Sequence, residues 1–311
     1  MTDAIEFDLP GVSVGVAEYP EGPTGVTAIL FDDGAATAVD YRYGAVGLVG
    51  GYRTNFGIVF AGGSVYGLSA ATGVAEELFD GIGQDPTWGL QRNVSGAIIY
   101  DFVARRDRTV YPDAALGRRA ARAARTGVVP VGRVGAGANA TYGKIDGTTY
   151  REGGQGAAFG VHRGHRILAV TVLNAVGHVF DRSGRTVGDP GHVHTAGEYW
   201  RRYLDEQPPD PPGGNTTLTA IVTDAPAHEW ELYELGKQVH ASLARAIQPF
   251  QTESDGDVLF VASTAAADPA AAPPRDPGTR LTGLGIAASE LAWDAVLVAA
   301  RSSARRLTRE P

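Results

Sequence analysis

Short stretches in which apolar and polar residues alternate occupy much of the first sixty residues, and Gly-rich turns separate them. Alternation with a period of two is typical of strands that bury one face. Four strands are therefore predicted: VSVGVAEY (12–19), TGVTAILFDD (24–33), TAVDYRYG (37–44) and FGIVFAGG (56–63). Apolar residues then recur at helical spacing, which predicts a helix from Val65 to Phe79 with Ser64 placed to cap its start.

The remainder of the chain contains further helical and strand-like stretches. Predicted helices cover Pro112 to Arg125, Ala227 to Ile247 and about Leu281 to Arg306, and predicted strands cover 166–181, the run after Gly214, and 258–264. The charged run RRAARAAR in the first of these helices is interpreted as a solvated face. The segments 205–214 and 265–278 are low in complexity, and we expect no regular structure there. This order of elements predicts an α+β layered sandwich and a single structural domain.

Composition and charge limit the possible functions. The chain has 311 residues, of which 43% are hydrophobic and 20% charged, as in soluble globular proteins. The net charge of -8 argues against a nucleic-acid-binding face, because such faces carry a basic surplus. We expect no membrane span and no signal peptide, and hence a cytoplasmic protein. The absence of cysteine excludes disulfides and a Cys nucleophile, so covalent catalysis would depend on Ser, Thr or Lys.

Several familiar site motifs are incomplete. GGSVYG (62–67) is similar to the serine elbow G-x-S-x-G, but Tyr66 occupies the position that needs glycine, so Ser64 is interpreted as a helix cap. The Gly-rich GAGANATYGK (135–144) lacks the Ser or Thr that ends a phosphate loop. HRGH (162–165) and HVH (192–194) could supply metal ligands, yet no carboxylate lies at a telling spacing from them. We therefore predict no metal and no cofactor.

The junction PPGGNTTLTAIVTDA (211–225) has two interpretations. In the first, Gly213 and Gly214 form a turn and the threonines begin a strand. In the second, the hydroxyl of Thr216 attacks the carbonyl of Asn215, and the glycines permit the strained backbone that this attack needs. Hydrolysis of the resulting ester would leave Thr216 as a new N-terminus. Its α-amine, with an ordinary pKa of about 8, could then act as the general base.

Six stretches of the sequence resemble the DmpA-like N-terminal nucleophile hydrolases, the group of L-aminopeptidase/D-esterases, β-peptidyl aminopeptidases and nylon-oligomer hydrolases. They are GGSVYGLSAATGVAEEL (62–78), GAIIYD (96–101), VGAGANATYGK (134–144), VLNAVGHVFD (172–181), GGNTTLTAIVTDA (213–225) and SDGDVLF (254–260). They occur in the family's order. The resemblance implies a layered α/β/β/α sandwich of the type found in DmpA and in ornithine acetyltransferases.

The resemblance also implies roles for residues at matching positions. Thr216 would be the nucleophile, and Asn215 would become the C-terminus of the first fragment. Asn174 would donate its side-chain amide to the oxyanion that develops during acyl transfer. The alternative interpretation of Asn174 is a polar group that closes the end of a strand.

Four further residues complete the site that the resemblance implies. Lys144, one of only two lysines, would lie near the nucleophile as a fixed positive charge. Asp255 and Asp257 would hold the ammonium of Thr216 or of the lysine, and they would point the same way in an extended segment. Tyr100 would line the site. The alternatives are an ordinary turn for SDGD (254–257) and a core tyrosine with a satisfied hydroxyl.

The expected protein is a self-processing aminopeptidase or amidase that is cut into fragments 1–215 and 216–311, acts on small peptides or amides, and forms a homo-oligomer, a tetramer by family resemblance. Thr216 and the Asp pair lie closer to the nylon-oligomer hydrolases than to the type aminopeptidase, which has serine and a Ser/Glu pair. The loop 192–214 does not match the family. The alternatives are hydrolysis of ω-amino-acid oligomers, acyl transfer to an amine, and an uncleaved binding protein.

Overall fold

The computed structural model describes residues 3–42, 44–103, 105–145, 147, 149–188, 194–206, 213–265, 280–301 and 306–308. The strands are β1 (Ala4–Glu6), β2 (Val12–Tyr19), β3 (Thr24–Tyr41), β4 (Leu48–Val49), β5 (Thr54–Ala61), β6 (Val94–Ile98), β7 (Arg125–Thr126), β8 (Val128–Pro130), β9 (Thr141–Tyr142), β10 (Thr149–Glu152), β11 (Gln155–His162), β12 (His165–Asn174), β13 (His178–Val179), β14 (Thr216–Thr223), β15 (Ile247–Gln248), β16 (Val258–Ser263) and β17 (Arg306–Thr308). The helices are α1 (Ser69–Gly81), α2 (Ala114–Arg122), α3 (Ala196–Glu206), α4 (Glu229–Ser242) and α5 (Arg280–Arg301).

The long strand β3 joins two layers of one ten-stranded sheet. The main path of this sheet has the order β11-β12-β14-β16-β3-β5-β6-β4. Along one edge β3 pairs with β5, and a bulge between Leu30 and Ala35 interrupts that pairing. Along the other edge its first part pairs with β2 and its second part pairs with β16. Strand β3 therefore belongs to both halves of the sheet, one containing β2 and the other containing β16.

Three apolar cores separate the layers. The first lies between the two halves of the sheet, where Phe60 of β5 and Phe260 of β16 have ring centroids 6.3 Å apart. The second lies under α1 and α2, and the third lies under α4 and α5. The result is an α/β/β/α sandwich, which confirms the predicted fold class.

The side-chain period of the central strands directs two polar residues into the space between the sheet halves. In β14, Leu218 and Val222 belong to the core between the halves, whereas Ile221 faces the helices. Because strand side chains alternate between faces, Thr216 lies on the same face as Leu218. Asn174 is its partner residue on β12, at the end of the ladder. The strand ends therefore bring these two side chains together.

The helix predicted from Val65 begins differently. Residues Ser64–Leu68 form a 3-10 helix, and α1 starts at Ser69. Ser64 has φ +53° and is not a cap, so that prediction was wrong. The reason is that this turn is tied to the end of β6: the N–H of Gly63 donates to Asp101, and the N–H of Ser64 donates to the carbonyl of Ile99.

Two other predicted boundaries were wrong. The strand predicted over 166–181 ends at Asn174. Beyond it the chain turns, and Gly177 passes so close to Pro249 that a Cβ on the glycine would lie 2.2 Å from the proline carbonyl oxygen. The next paired residues, His178 and Val179, join β15 in a separate sheet. The closing helix ends at Arg301, and 306–308 form β17.

The segment called a loop at 192–214 contains a helix, α3. Thr195 and Glu198 form reciprocal hydrogen bonds at its start, in which the Thr195 N–H donates to the carboxylate and the Glu198 N–H donates to the threonine hydroxyl. This is a capping box. Within the segment predicted to be irregular, residues 205 and 206 are helical, whereas 207–212 lie outside the described residues. Nearly all of the predicted connector 265–278 also lies outside them.

Helix α5 is long and apolar enough over Leu281–Arg301 to cross a membrane, by length and composition alone. In the fold it packs against β11, β12 and α4, and 61% of its apolar window is buried. Buried residues such as Ala292 and Val296 belong to the core under α4 and α5. The packing is that of a core helix.

The charged run in α2 forms ion pairs across the helix pair, because Arg118 pairs with Glu76, Glu77 and Asp80 of α1.

Candidate active site

The bond between Asn215 and Thr216 is buried at the start of β14. Asn215 is 1% exposed and Thr216 is 2% exposed. Gly214, just before them, has φ +85°, and a Cβ there would lie 2.7 Å from Cγ of Tyr100. Only glycine fits this backbone and this contact without strain. The chain thus enters β14 through a constrained turn against the ring of Tyr100.

The carbonyl oxygen of Asn215 accepts hydrogen bonds from two groups that matter for chemistry. One donor is the hydroxyl of Thr216, in a very short contact with the carbonyl of the preceding residue. The other is the backbone N–H of Gly256, at 2.7 Å. The hydroxyl of Thr216 therefore lies next to the carbonyl group that an intramolecular attack would have to reach.

Lys144 lies beside this junction and is 3% exposed. Its Nζ donates to the carbonyl oxygen of Asn174 at 3.1 Å, to Oδ1 of Asn174 at 3.0 Å and to Oδ1 of Asn215 at 2.9 Å. Burial lowers its pKa from 10.5 to about 7, although the nearby Asp255 opposes that shift. Burial therefore opposes the fixed positive charge that the resemblance implies at this position.

The ammonium of Lys144 is not held by the aspartates. Three N–H groups are all that a lysine offers, and asparagine oxygens accept all three. Among the described residues Lys144 forms no ion pair within 4.0 Å of Asp255 or Asp257. No direct ion pair therefore joins this ammonium to the two aspartates, and Asp255 influences the lysine through space. The other half of the expectation, that the pair holds the α-amine of Thr216, stays a prediction.

Asn174 is oriented by hydrogen bonds at both the oxygen and the nitrogen of its side-chain amide. Its Oδ1 accepts from the N–H of Thr141 at 3.1 Å as well as from Lys144, and its Nδ2 donates to the carbonyl of Tyr100 at 3.1 Å. A side-chain amide has two N–H groups, and Tyr100 uses one of them. The second N–H can serve another acceptor. The side chain therefore has the fixed orientation that an oxyanion donor needs.

Asp255 and Asp257 are both buried, at 2% and 1% exposure. Asp255 accepts from the N–H groups of Val176 and Thr252, and Asp257 accepts from the N–H groups of Thr217 and Gln251. Burial raises the pKa of both carboxyls, and the charge of Asp255 raises the pKa of Asp257 further. Asp257, whose pKa is raised by both burial and the neighbouring charge, is therefore the carboxyl of the pair that keeps a proton more readily.

Tyr100 lies at the edge of the site, with 37% of its surface exposed. The residue after it, Asp101, was missed by sequence reasoning even though it belongs to the quoted stretch GAIIYD. Its buried carboxylate pairs with Arg105 and accepts from Thr24 and from the N–H of Gly63. It thereby fixes the backbone that presents Tyr100. Thr141 and Gly256 were also missed, because they contribute through backbone N–H groups, and a backbone donor cannot be recognised from the type of residue.

No group of three His, Asp or Glu side chains that could hold a metal converges within the described ranges. His162 and His165 face each other across the β11–β12 hairpin, where the nearest carboxylate to His165 is Asp224 at 3.8 Å. His192 lies outside the described residues.

The sequence matches one family of known proteins. Residues 3–309 match the family described as peptidase family S58. The 6-aminohexanoate-oligomer endohydrolase of Kocuria sp. (strain KY2) is 46% identical over 308 residues, covering 96% of this chain and 86% of that protein. An uncharacterized aminopeptidase of Mycobacterium leprae is 32% identical over 311 residues, covering 88% of this chain and 82% of that protein.

A solved structure shares the fold. The L-aminopeptidase D-Ala-esterase/amidase of Ochrobactrum anthropi, described as a variant of the Ntn hydrolase fold, superposes with a TM-score of 0.71 at 20% identity, covering 97% of this chain and 90% of that chain. At 20% identity this structural similarity shows the shared fold, whereas the family relationship rests on the sequence matches. The chain therefore belongs to peptidase family S58, whose members hydrolyse amide bonds.

Proposed function

We propose that this protein cuts its own chain between Asn215 and Thr216 and then uses Thr216 as the nucleophile of an amide hydrolase. The observation that carries the proposal is the hydroxyl of Thr216 donating to the carbonyl of Asn215 inside a buried site. This junction is surrounded by Lys144, which donates to two asparagine side chains, by Asn174, and by the two aspartates. An ordinary strand start requires none of these groups.

The self-cleavage step is an N-to-O acyl shift. A bond forms between Oγ of Thr216 and the carbonyl carbon of Asn215, the C–N bond to Thr216 breaks, and the hydroxyl proton passes to the departing nitrogen. Water then hydrolyses the ester, which restores the hydroxyl and leaves a carboxylate on Asn215. The products are fragments 1–215 and 216–311, and the second begins with a free α-amine.

The aspartate pair is the proposed acid and base for this transfer. Because burial raises the pKa of both carboxyls, the pair is suited to exchange a proton with Oγ and the leaving nitrogen. During turnover the α-amine of Thr216 takes over as base, and the second N–H of Asn174 stabilises the oxyanion of the substrate.

For the substrate we propose oligomers of ω-amino acids, with small aminoacyl amides as the second class. The first class is supported by 46% identity to a 6-aminohexanoate-oligomer endohydrolase, together with the Thr nucleophile and Asp pair. The second is supported by the weaker match to an aminopeptidase. From the family resemblance we further propose a cytoplasmic homo-oligomer, which size-exclusion chromatography and cell fractionation would test.

The experiment is a two-part assay of purified protein. Mass spectrometry should find two fragments, the smaller beginning Thr-Thr-Leu, and a panel of 6-aminohexanoate oligomers and aminoacyl anilides should show which amides are cut. Adding an amine acceptor separates hydrolysis from acyl transfer. A single intact chain with full amidase activity would refute the mechanism, and cleaved protein that is inactive on the whole panel would refute the substrate assignment.

A further inference from the structure

We propose that the backbone N–H of Gly256 is the oxyanion donor of the self-cleavage step, a role that rests on the self-cleavage proposed above. This N–H donates to the carbonyl oxygen of Asn215 at 2.7 Å. When Oγ of Thr216 bonds to the carbonyl carbon, negative charge develops on that same oxygen. A donor already bonded to the oxygen stabilises the charged state more than the neutral one.

The sheet holds this donor in place before the reaction begins. Asn215 forms a parallel bridge with Asp255, in which the N–H of Asn215 donates to the carbonyl of Ser254 at 3.1 Å and the N–H of Gly256 donates back to Asn215. The bridge continues the register in which Leu218 pairs with Val258. The donor therefore requires little rearrangement during the reaction, which is the condition for effective electrostatic stabilisation.

The position accepts only glycine. A Cβ on residue 256 would lie 2.4 Å from the carbonyl oxygen of Ala45 and 3.0 Å from Oγ1 of Thr216. Any side chain would push the N–H away from its acceptor or move the attacking hydroxyl. The residue between the two aspartates thus brings a backbone N–H close to the reacting carbonyl and leaves room for the nucleophile.

Asn174 has a different partner in the uncut chain. Its Nδ2 donates to the carbonyl of Tyr100, not to that of Asn215. We therefore assign to the N–H of Gly256 the stabilisation of the negative charge that develops on the carbonyl oxygen of Asn215 during self-cleavage. Asn174 instead orients Lys144 through its oxygens. A rival explanation of the Gly256 bond is that it only anchors the strand, in which case its loss would lower stability without a specific effect on cleavage.

The test replaces Gly256 by glycolic acid during cell-free translation, which exchanges the N–H for an oxygen and adds no side chain. We expect self-cleavage to slow on the order of 10²- to 10³-fold. The matched control is the same exchange at Gly132, a buried glycine in another isolated bridge, whose N–H donates to Gln155 at 2.8 Å. Equal cleavage rates in the two ester proteins would overturn the proposal. If the unmodified chain never cuts itself, the proposed function fails instead.

A second measurement does not depend on the ester protein folding. In Thr216→Val the hydroxyl donor is absent and Gly256 is unchanged. Labelling Asn with carbonyl carbon-13 and Val with nitrogen-15 then marks only the peptide bonds that follow Asn93 and Asn215. Asn93 is the internal reference, because its carbonyl accepts the N–H of Phe56 at 2.7 Å. We expect a similarly downfield carbonyl shift for Asn215, and the shift of an unbonded carbonyl would overturn the proposal.

Discussion

Replacing Lys144 by methionine should remove a specific part of the pH dependence of stability. Lys144 is buried, and its pKa falls from 10.5 in the unfolded chain to about 7 in the fold. Between these values the unfolded chain keeps the proton while the folded chain has lost it. Because the unfolded state binds more protons, stability rises with pH across this interval, whereas below about pH 7 the cost of burying the charged lysine is constant and adds no pH dependence.

The size of the effect follows from the same two values. One pH unit corresponds to about 1.4 kcal/mol, so the lysine should add roughly 5 kcal/mol to the free energy of unfolding between pH 7 and 10.5. The absolute stability of Lys144→Met is a poor indicator, because the change also leaves asparagine oxygens without their donor. The slope with pH isolates the titration of the lysine.

The assay is urea unfolding at several pH values from 6 to 10, in a Thr216→Ala background that keeps the chain in one piece. Lys237→Met is the control, because Lys237 is the only other lysine, is exposed, and has a pKa raised by Glu234. We expect the parent and the control to gain stability relative to Lys144→Met as pH rises. Parallel curves for all three proteins would refute the reasoning, since they would show that Lys144 does not titrate in this range.

Three further predictions concern the cleavage site. Thr216→Ala should give a folded, inactive, single chain by mass spectrometry and circular dichroism, and an unfolded product would favour a purely structural role. Asp257→Asn keeps an acceptor for the Thr217 N–H but removes the proposed carboxyl acid and base, so self-cleavage followed on gels should slow by about 100-fold or more. Gly214→Ala forces a Cβ onto Tyr100 and should cost about 1 kcal/mol or more in urea unfolding, whereas Gly213→Ala, with open space around it, should not.

The sequence alone predicts the layers well because periodicity reports which face of each element is buried. Strand β2 has the predicted bounds, and β14 and β16 follow their apolar runs closely. Helix α3 shows what periodicity missed: its capping box, Thr195 with Glu198, was legible in the sequence, but the flanking proline-rich segment suggested a loop. Ser64 failed as a cap because tertiary hydrogen bonds, which no local pattern encodes, hold its backbone at positive φ.

Within the candidate site, residue types were easier to predict than their connections. The structure brings the predicted residues near Thr216, but Lys144 bonds to asparagine oxygens and not to carboxylates. The pKa of the lysine could not be predicted either, since it depends on burial in the folded chain. The contribution of Gly256 was hidden for another reason: every residue except proline has a backbone N–H, and only the register of the bridge shows which one meets Asn215.

The position of β14 and β16 has a consequence for how the two fragments of the proposed cut would behave. These two strands are adjacent in the sheet and come from 216–311, whereas their outer neighbours, β12 and β3, come from 1–215. Separating the fragments would open two strand edges and expose the apolar faces that β14 and β16 bury. Dilution should therefore leave the nicked protein whole, and fragments produced from separate genes should precipitate unless they meet while folding.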